Sequence, residues 1–323
     1  MKLHGVHHVS GITRDVQKNY DFYTKILGMK LIKSTIHHED ERARKLYYAT
    51  HVGLGRTCLS FVERRKSEET LVGNNKIYGT SFRIPRDESL DFWQKRFVAH
   101  SITHEDQIEI AGQRALPFED EEGHKLFLIS SGEDIEVNDE FIGSPEIPSK
   151  DQIIGLGPTM IRVSKDEDSI LVLEEVLSLQ LDGEYKSPLN GDPVSIYTTG
   201  DDDLKNEIHL QKSKSMTQGI TGYSSIHHIA FRVKNLEELR NWRDLFERIR
   251  MPNSGIVNHL YYRAIYFRDG NGILYELATD EPGFTVDESV EELGSSLSLP
   301  KSLRKQEEKI ERKLTPLITS EPQ

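Results

Sequence analysis

Apolar and polar positions alternate along this chain with two periods, and the order in which the periods change repeats four times. Residues 5–13 read as a strand. Val16, Tyr20, Tyr23 and Leu27 follow at helical spacing up to Gly28, a residue suited to closing a helix. Three strand-like runs come next, at 29–35, 45–49 and 57–62. The same order of one strand, one helix and further strands recurs from 77–84, with a helix over 89–100 and a last strand at 125–129. A third copy opens at 159–163, continues in a helix around 170–179 and closes in 194–198 and 207–210. The fourth has 226–233 as first strand, 236–249 as helix, and 260–268 and 273–277 as closing strands. Four βαβββ units of roughly 55–65 residues are the best parse. Half-buried strands on curved mixed sheets, with one helix outside each unit, predict an α+β fold.

The segments between units predict the larger organisation. Residues 64–75 are polar and charged, while 130–152 are acidic with Gly and Pro, so the second is the expected domain boundary. This gives an N-terminal domain over 1–140 and a C-terminal domain over 150–285, each of two βαβββ units. A charged tail follows over 286–323, expected to lie solvated across the domain surface with a helix at 303–314. The chain has 323 residues, 36% hydrophobic and 29% charged, as in ordinary globular proteins. No apolar run approaches the roughly 20 residues of a membrane helix, and the N-terminus lacks the apolar core of a signal peptide, which predicts a cytoplasmic protein. A net charge of -12 argues against nucleic-acid and anionic-membrane surfaces. The single cysteine, Cys58, excludes an intrachain disulfide and, within the apolar run 58–61, reads as packing rather than nucleophile.

Comparing the units exposes the candidate chemistry. The first strands of units one and four carry paired histidines, His7-His8 and His227-His228, where units two and three have none. Aligning the last strands places Glu276 of unit four beside Leu59 or Ser60 of unit one, Phe127 of unit two and His209 of unit three. A carboxylate inside the apolar run Ile273-Leu274-Tyr275-Glu276-Leu277 needs a partner, because an unpaired buried charge costs several kcal/mol. His8, His228 and Glu276 together make a two-histidine, one-carboxylate set suited to Fe(II) with open coordination positions. Repeat symmetry would put a fourth ligand at Leu59 or Ser60, and neither is a carboxylate. His7 and His227 fall on the opposite strand face and read as supporting or core residues. His37, His38 and His51, in charged or Gly-rich loops, read as surface residues.

The repeat pattern resembles the vicinal oxygen chelate superfamily, which includes glyoxalases, bleomycin-resistance proteins and ring-cleaving dioxygenases. The resemblance is carried by the stretch 5–15 with Asn19-Tyr20-Asp21-Phe22-Tyr23, by Lys45-Leu46-Tyr47-Tyr48-Ala49, and by Ile226-His227-His228-Ile229-Ala230-Phe231. Ile265-Tyr266-Phe267-Arg268, Gly272-Ile273-Leu274-Tyr275-Glu276 and Pro282-Gly283-Phe284 complete it. Within the superfamily the chain is similar to extradiol dioxygenases of the hydroquinone-acting type. That resemblance implies His8, His228 and Glu276 as metal ligands, Fe(II) or alternatively Mn(II) as cofactor, and a small aromatic diol and O2 as partners. It also implies Tyr266 for hydrogen bonding or proton transfer to the substrate, His227 for proton relay and His7 for support. The family usually has an Arg where this chain has His259, which is expected to act as acid or base in its place. Two other readings use the same fold: a glyoxalase-like isomerase, which needs a second carboxylate, and a metal-free sequestering protein, which needs no ligand set. Neither nucleic acid nor membrane is expected as a partner, and homo-oligomerisation is left open.

Overall fold

A computed structural model describes residues 1–50, 57–132, 142–199 and 206–319. Unit one comprises β1 (Val6–Thr13), α1 (Val16–Asp21), β2 (Lys30–His37), β3 (Asp40–Ala49) and β4 (Leu59–Glu63). Unit two has β5 (Lys76–Ile84), α2 (Glu88–Ala99), β6 (Ile108–Ile110), β7 (Gln113–Glu119) and β8 (Lys125–Ser130). Unit three has β9 (Gly155–Val163), α3 (Glu167–Leu171), β10 (Gln180–Lys186), β11 (Pro193–Thr199) and β12 (Asn206–Lys212). Unit four has β13 (Ile226–Val233), α4 (Leu236–Arg248), β14 (Val257–Asn258), β15 (Arg263–Arg268) and β16 (Leu274–Thr279). Side-chain caps start two of the helices: Asp15 accepts from the backbone N–H of Gln17 and Lys18, and Asn235 from those of Glu237 and Glu238. Both α1 and α3 widen into a π turn, at Phe22–Ile26 and Val172–Val176.

The strands form two eight-stranded mixed sheets, ordered β14-β15-β16-β13-β1-β4-β3-β2 and β10-β11-β12-β9-β5-β8-β7-β6. Units therefore do not pair in chain order. Unit one joins unit four through antiparallel β1 and β13, and unit two joins unit three through β5 and β9. Each sheet thus draws one unit from residues 1–140 and one from 150–285. The reason is an edge. Inside a unit the first strand lies outermost, next to the fourth, and its open ladder must find a partner. The connections that cross between sheets also bond to each other, Leu71 N–H to Ile220 O at 3.1 Å and Ile220 N–H to Leu71 O at 3.0 Å.

Strand alternation sorts the side chains of the first sheet. Val9, Leu46, Tyr48, Leu59, Phe61, Ile229, Phe231, Tyr275 and Leu277 join the main helix-covered core. Tyr47, Ala49, Ala230, Ala264 and Ala278 turn to the other face, where Tyr261, Tyr262 and Phe284 pack over them. The tail crosses β2, with Ser298 N–H bonded to Ser34 O at 2.8 Å, and Lys33 is clamped by Asp287 and Glu288. The helix expected at 303–314 shrinks to a 3-10 turn, Arg304–Gln306, and α5 (Glu307–Glu311). Only Ile310 and Leu314 of this stretch bury against Ile36 and Leu299, so a longer amphipathic face has nothing to cover.

Candidate metal centre

His8 and His228 come from the two first strands that join the units, and Glu276 from β16 beside β13. Their ligand atoms converge. His8 Nε2 lies 3.3 Å from His228 Nε2 and 3.4 Å from Glu276 Oε2, and His228 Nε2 lies 2.8 Å from that oxygen. All three side chains are buried, and neither Glu276 oxygen has a hydrogen-bond partner. The opposite ring nitrogens are held as well: His8 Nδ1 is 2.8 Å from His7 Nδ1, and His228 Nδ1 is 2.8 Å from His227 Nδ1. A register shift in β1 between Val6 and His8 lets the neighbouring His7 reach that contact. Each pair shares one proton, so an imidazole lending its Nε2 lone pair to a cation donates Nδ1–H to its neighbour.

Burial sets the charge states. It pushes His8 and His228 well below the usual imidazole range, and carries His7 down to about 4 and His227 down to about 3. Neutral imidazoles are the ligand form. Burial also raises Glu276 to about 7, with Lys45, His7 and the Tyr266 hydroxyl acting against it. Donors on one ion with bonds near 2.1 Å stand about 3 Å apart, so this spacing fits a single metal ion. A divalent cation would also satisfy the orphaned carboxylate, and the residues therefore fit the group.

Further expected residues gather at the same cup. Tyr266 lies opposite Glu276 in the β15–β16 register, its hydroxyl 2.8 Å from His259 Nε2 and its ring centroid 5.5 Å from that of His228. His259 stacks on Tyr262 at 4.9 Å and meets the His38 ring at 4.6 Å. His209 belongs to the second sheet, where Tyr185 and Glu207 bond both its ring nitrogens. Ser60 rather than Leu59 occupies the slot related to Glu276: Ser10 faces Ser60 as Ala230 faces Glu276, while Leu59 enters the helix-side core. His37 is buried, correcting its reading as a surface residue; the hairpin tip folds inward and its Nδ1 accepts the Glu39 N–H at 3.3 Å. His38 is exposed, and His51 falls outside the described residues. Cys58 is buried, and burial pushes its thiol up to about 12, as packing requires.

Sequence reasoning missed Lys45, Tyr47, Tyr262 and Ser10 as cup residues. Lys45 Nζ donates to Tyr262 Oη at 3.0 Å, and the Tyr47 and Tyr262 hydroxyls lie 3.1 Å apart. The available signal was Lys45 itself, a charge between Ala43 and Tyr47 on the inward face of an alternating strand.

Paired βαβββ units around a histidine–carboxylate cup define the class: the chain belongs to the glyoxalase/bleomycin resistance protein/dioxygenase superfamily, with the vicinal oxygen chelate fold. That family model matches residues 5–128. Among particular proteins, the chain is 37% identical over 322 residues to Bacillus subtilis MhqA, provisionally named a ring-cleaving dioxygenase, covering 98% of this chain and 100% of the relative. It is 24% identical to the chlorohydroquinone/hydroquinone 1,2-dioxygenase of Sphingobium indicum, over 94% of this chain and 93% of that one. A crystal structure of a provisionally assigned dioxygenase from Bacillus subtilis matches with a TM-score of 0.88 at 28% identity, covering 99% of both chains.

Proposed function

We propose that this protein is an Fe(II)-dependent, extradiol-type dioxygenase that opens a hydroquinone- or catechol-like ring with O2, Mn(II) being the alternative ion. The convergence of His8, His228 and Glu276 in a dry cup, with a serine in the fourth slot, carries this reading. Those three residues would hold the ion, which when bound supplies Lewis acidity, redox activation of O2 and open positions for both reactants. Tyr266 keeps its proton, because burial raises its hydroxyl well above the usual range, and it can present that proton beside Glu276. His259, kept neutral by burial, can donate its Nε2–H to the Tyr266 oxygen, which leaves the hydroxyl proton free for the cup. His7 and His227 fix the ring planes of the ligands, and Tyr47, Tyr262 and Phe284 close the cup against water.

A glyoxalase-like isomerase would need a carboxylate where Ser60 stands, and a sequestering protein has no use for the cluster. Removal of reactive aromatic diols or quinones in the cytoplasm is the role proposed with this activity. Among the described residues no helix is long and apolar enough to cross a membrane. Anaerobically purified protein loaded with Fe(II) should consume O2 with a hydroquinone or catechol and release a ring-opened chromophore. Undiminished O2 uptake by Glu276→Ala would sink the ligand assignment.

A further inference from the structure

The wall of the cup built by unit one carries polar groups that the proposed chemistry leaves unused. Ser10, on β1, and Ser60, its register partner on β4, are fully buried, and neither hydroxyl has a hydrogen-bond partner. Tyr47 on β3 pairs with Ser60, and Lys45 sits two residues outward on the same strand face. Lys45 is 3% exposed; its ammonium makes one hydrogen bond, to Tyr262, and lies 5.0 and 5.7 Å from the Tyr47 and Tyr262 ring centroids, with no carboxylate in ion-pair range among the described residues. Lys33, another buried lysine of this half-sheet, is by contrast held by Asp287 and Glu288. Unmatched buried hydroxyls, and a buried ammonium with no counter-ion in contact, are costly, so a fold keeps three such groups on one face when something else completes them.

The same strand face continues outward into a positively charged surface. Outward from Lys45, a cavity of about 530 Å³ is lined by Ile12, Ala43 and Arg64, together with the mutually paired Arg42–Asp40 and Arg65–Glu63. Neither Arg64 nor Lys66, which also lines the cavity, has a carboxylate partner among the described residues, which leaves two cations there in a chain whose net charge is -12.

We infer that Lys45, with the Ser10 and Ser60 hydroxyls, binds an anionic oxygen of the substrate on the unit-one side of the His8–His228–Glu276 cluster, so that the preferred substrates are aromatic diols presenting a phenolate or a ring carboxylate there. This rests on the dioxygenase reading for the word substrate, and on the cup alone for the binding. Lys45 acts as a specificity residue. A charge-assisted hydrogen bond in a dry site identifies the ligand group by charge as well as by position.

Equilibrium binding to the full chain without O2, both chelator-treated and Fe(II)-loaded, tests it with 2,5-dihydroxybenzoate and methylhydroquinone as probes. Lys45→Met should weaken the carboxylated probe by about tenfold or more, and Lys45→Arg should restore most of the loss. A parallel loss for methylhydroquinone assigns the oxygen as a phenolate, and its absence as a carboxylate. The double variant Ser10→Ala, Ser60→Ala should weaken the same probe by about threefold, and it decides the matter if Lys45→Met fails to fold. Binding unchanged within about twofold in the folded variants, or no binding of either probe by the unmodified chain, overturns the inference. Lys45-dependent binding without O2 consumption would remove the dioxygenase reading and leave the subsite. Ring opening indifferent to Lys45 would do the reverse.

Discussion

The two sheets share one plan and use it differently. At the positions where the first sheet carries His8, Ser60, His228 and Glu276, the register of the second places Gly79, Phe127, Pro158 and His209. Phe127 is fully buried among Ile110, Ala115, Ile129 and Met160, and a Cβ on Gly79 would come within 3.0 Å of its ring. His209 spends its nitrogens on Tyr185 and Glu207, and Glu207 in turn pairs with Arg83 at 3.1 Å. One cup is thus filled by an aromatic ring and satisfied polar groups, while the other holds hydrogen-bonding groups with no protein partner. The backbone supplies a concave face twice. A handful of side chains decides whether that face becomes core or site.

The sharpest way to break this contrast is to neutralise the carboxylate. With the Fe(II) centre proposed above, Glu276→Gln should lower bound iron from about one per chain to below about 0.1 and cut O2 consumption by on the order of 10³-fold, while His209→Gln leaves both intact. Loss of iron in both variants would show that the second sheet also supports binding. Next in size, Phe127→Ala should cost about 3–5 kcal/mol in urea unfolding without changing iron content, since it empties a filled slot. A stable, metal-gaining variant would show that the second cup needs only space. Smaller again, His7→Phe should weaken metal affinity about tenfold, as the loss of a partner behind a ligand does. The same change at His227 should match it, and chelator competition measures both.

The smallest effect concerns two turns built alike. Asp120 and Asp269 each accept two backbone N–H groups of their own turn through Oδ1, but Asp120 Oδ2 also meets buried His124 Nδ1 at 2.8 Å where Asp269 Oδ2 meets the Ser169 hydroxyl. Burial works against both charges, yet the mutual attraction holds Asp120 below and His124 above their usual values of 3.8 and 6.5. His124 stabilises fully below pH 6.5 and loses that contribution as pH rises through its raised pKa. Asp120 stabilises fully above pH 3.8 and loses it as pH falls through its lowered one. The stability difference between the unmodified chain and His124→Asn, in chelator, should therefore be largest between those values and shrink on either side, by on the order of 1 kcal/mol. A flat difference would mean that the pair is uncharged.

Repetition is what made the fold legible. The spacing of Val16, Tyr20, Tyr23 and Leu27, and the oddity of Glu276 in an apolar strand, are local signals that survive into the structure. Pairing between units was not legible, because all four first strands are apolar enough to join any other. Burial of His37 was hidden for a similar reason, since a histidine in a charged hairpin looks exposed until the tip folds against the His259 segment. Lys45 was visible but uninterpreted, its inward direction depending on the register of β3 against β4.

Inside-out pairing also sets a timetable for synthesis. Units two and three, contiguous between Lys76 and Lys212, can close their sheet while the ribosome still holds the rest. Unit one, made first, must wait with an unfilled edge at β1 until β13 emerges more than two hundred residues later. His8 therefore exists long before His228 and Glu276, and a nascent chain stalled anywhere before β16 cannot assemble the three ligands. Under the metal assignment proposed above, loading would have to wait for completed translation.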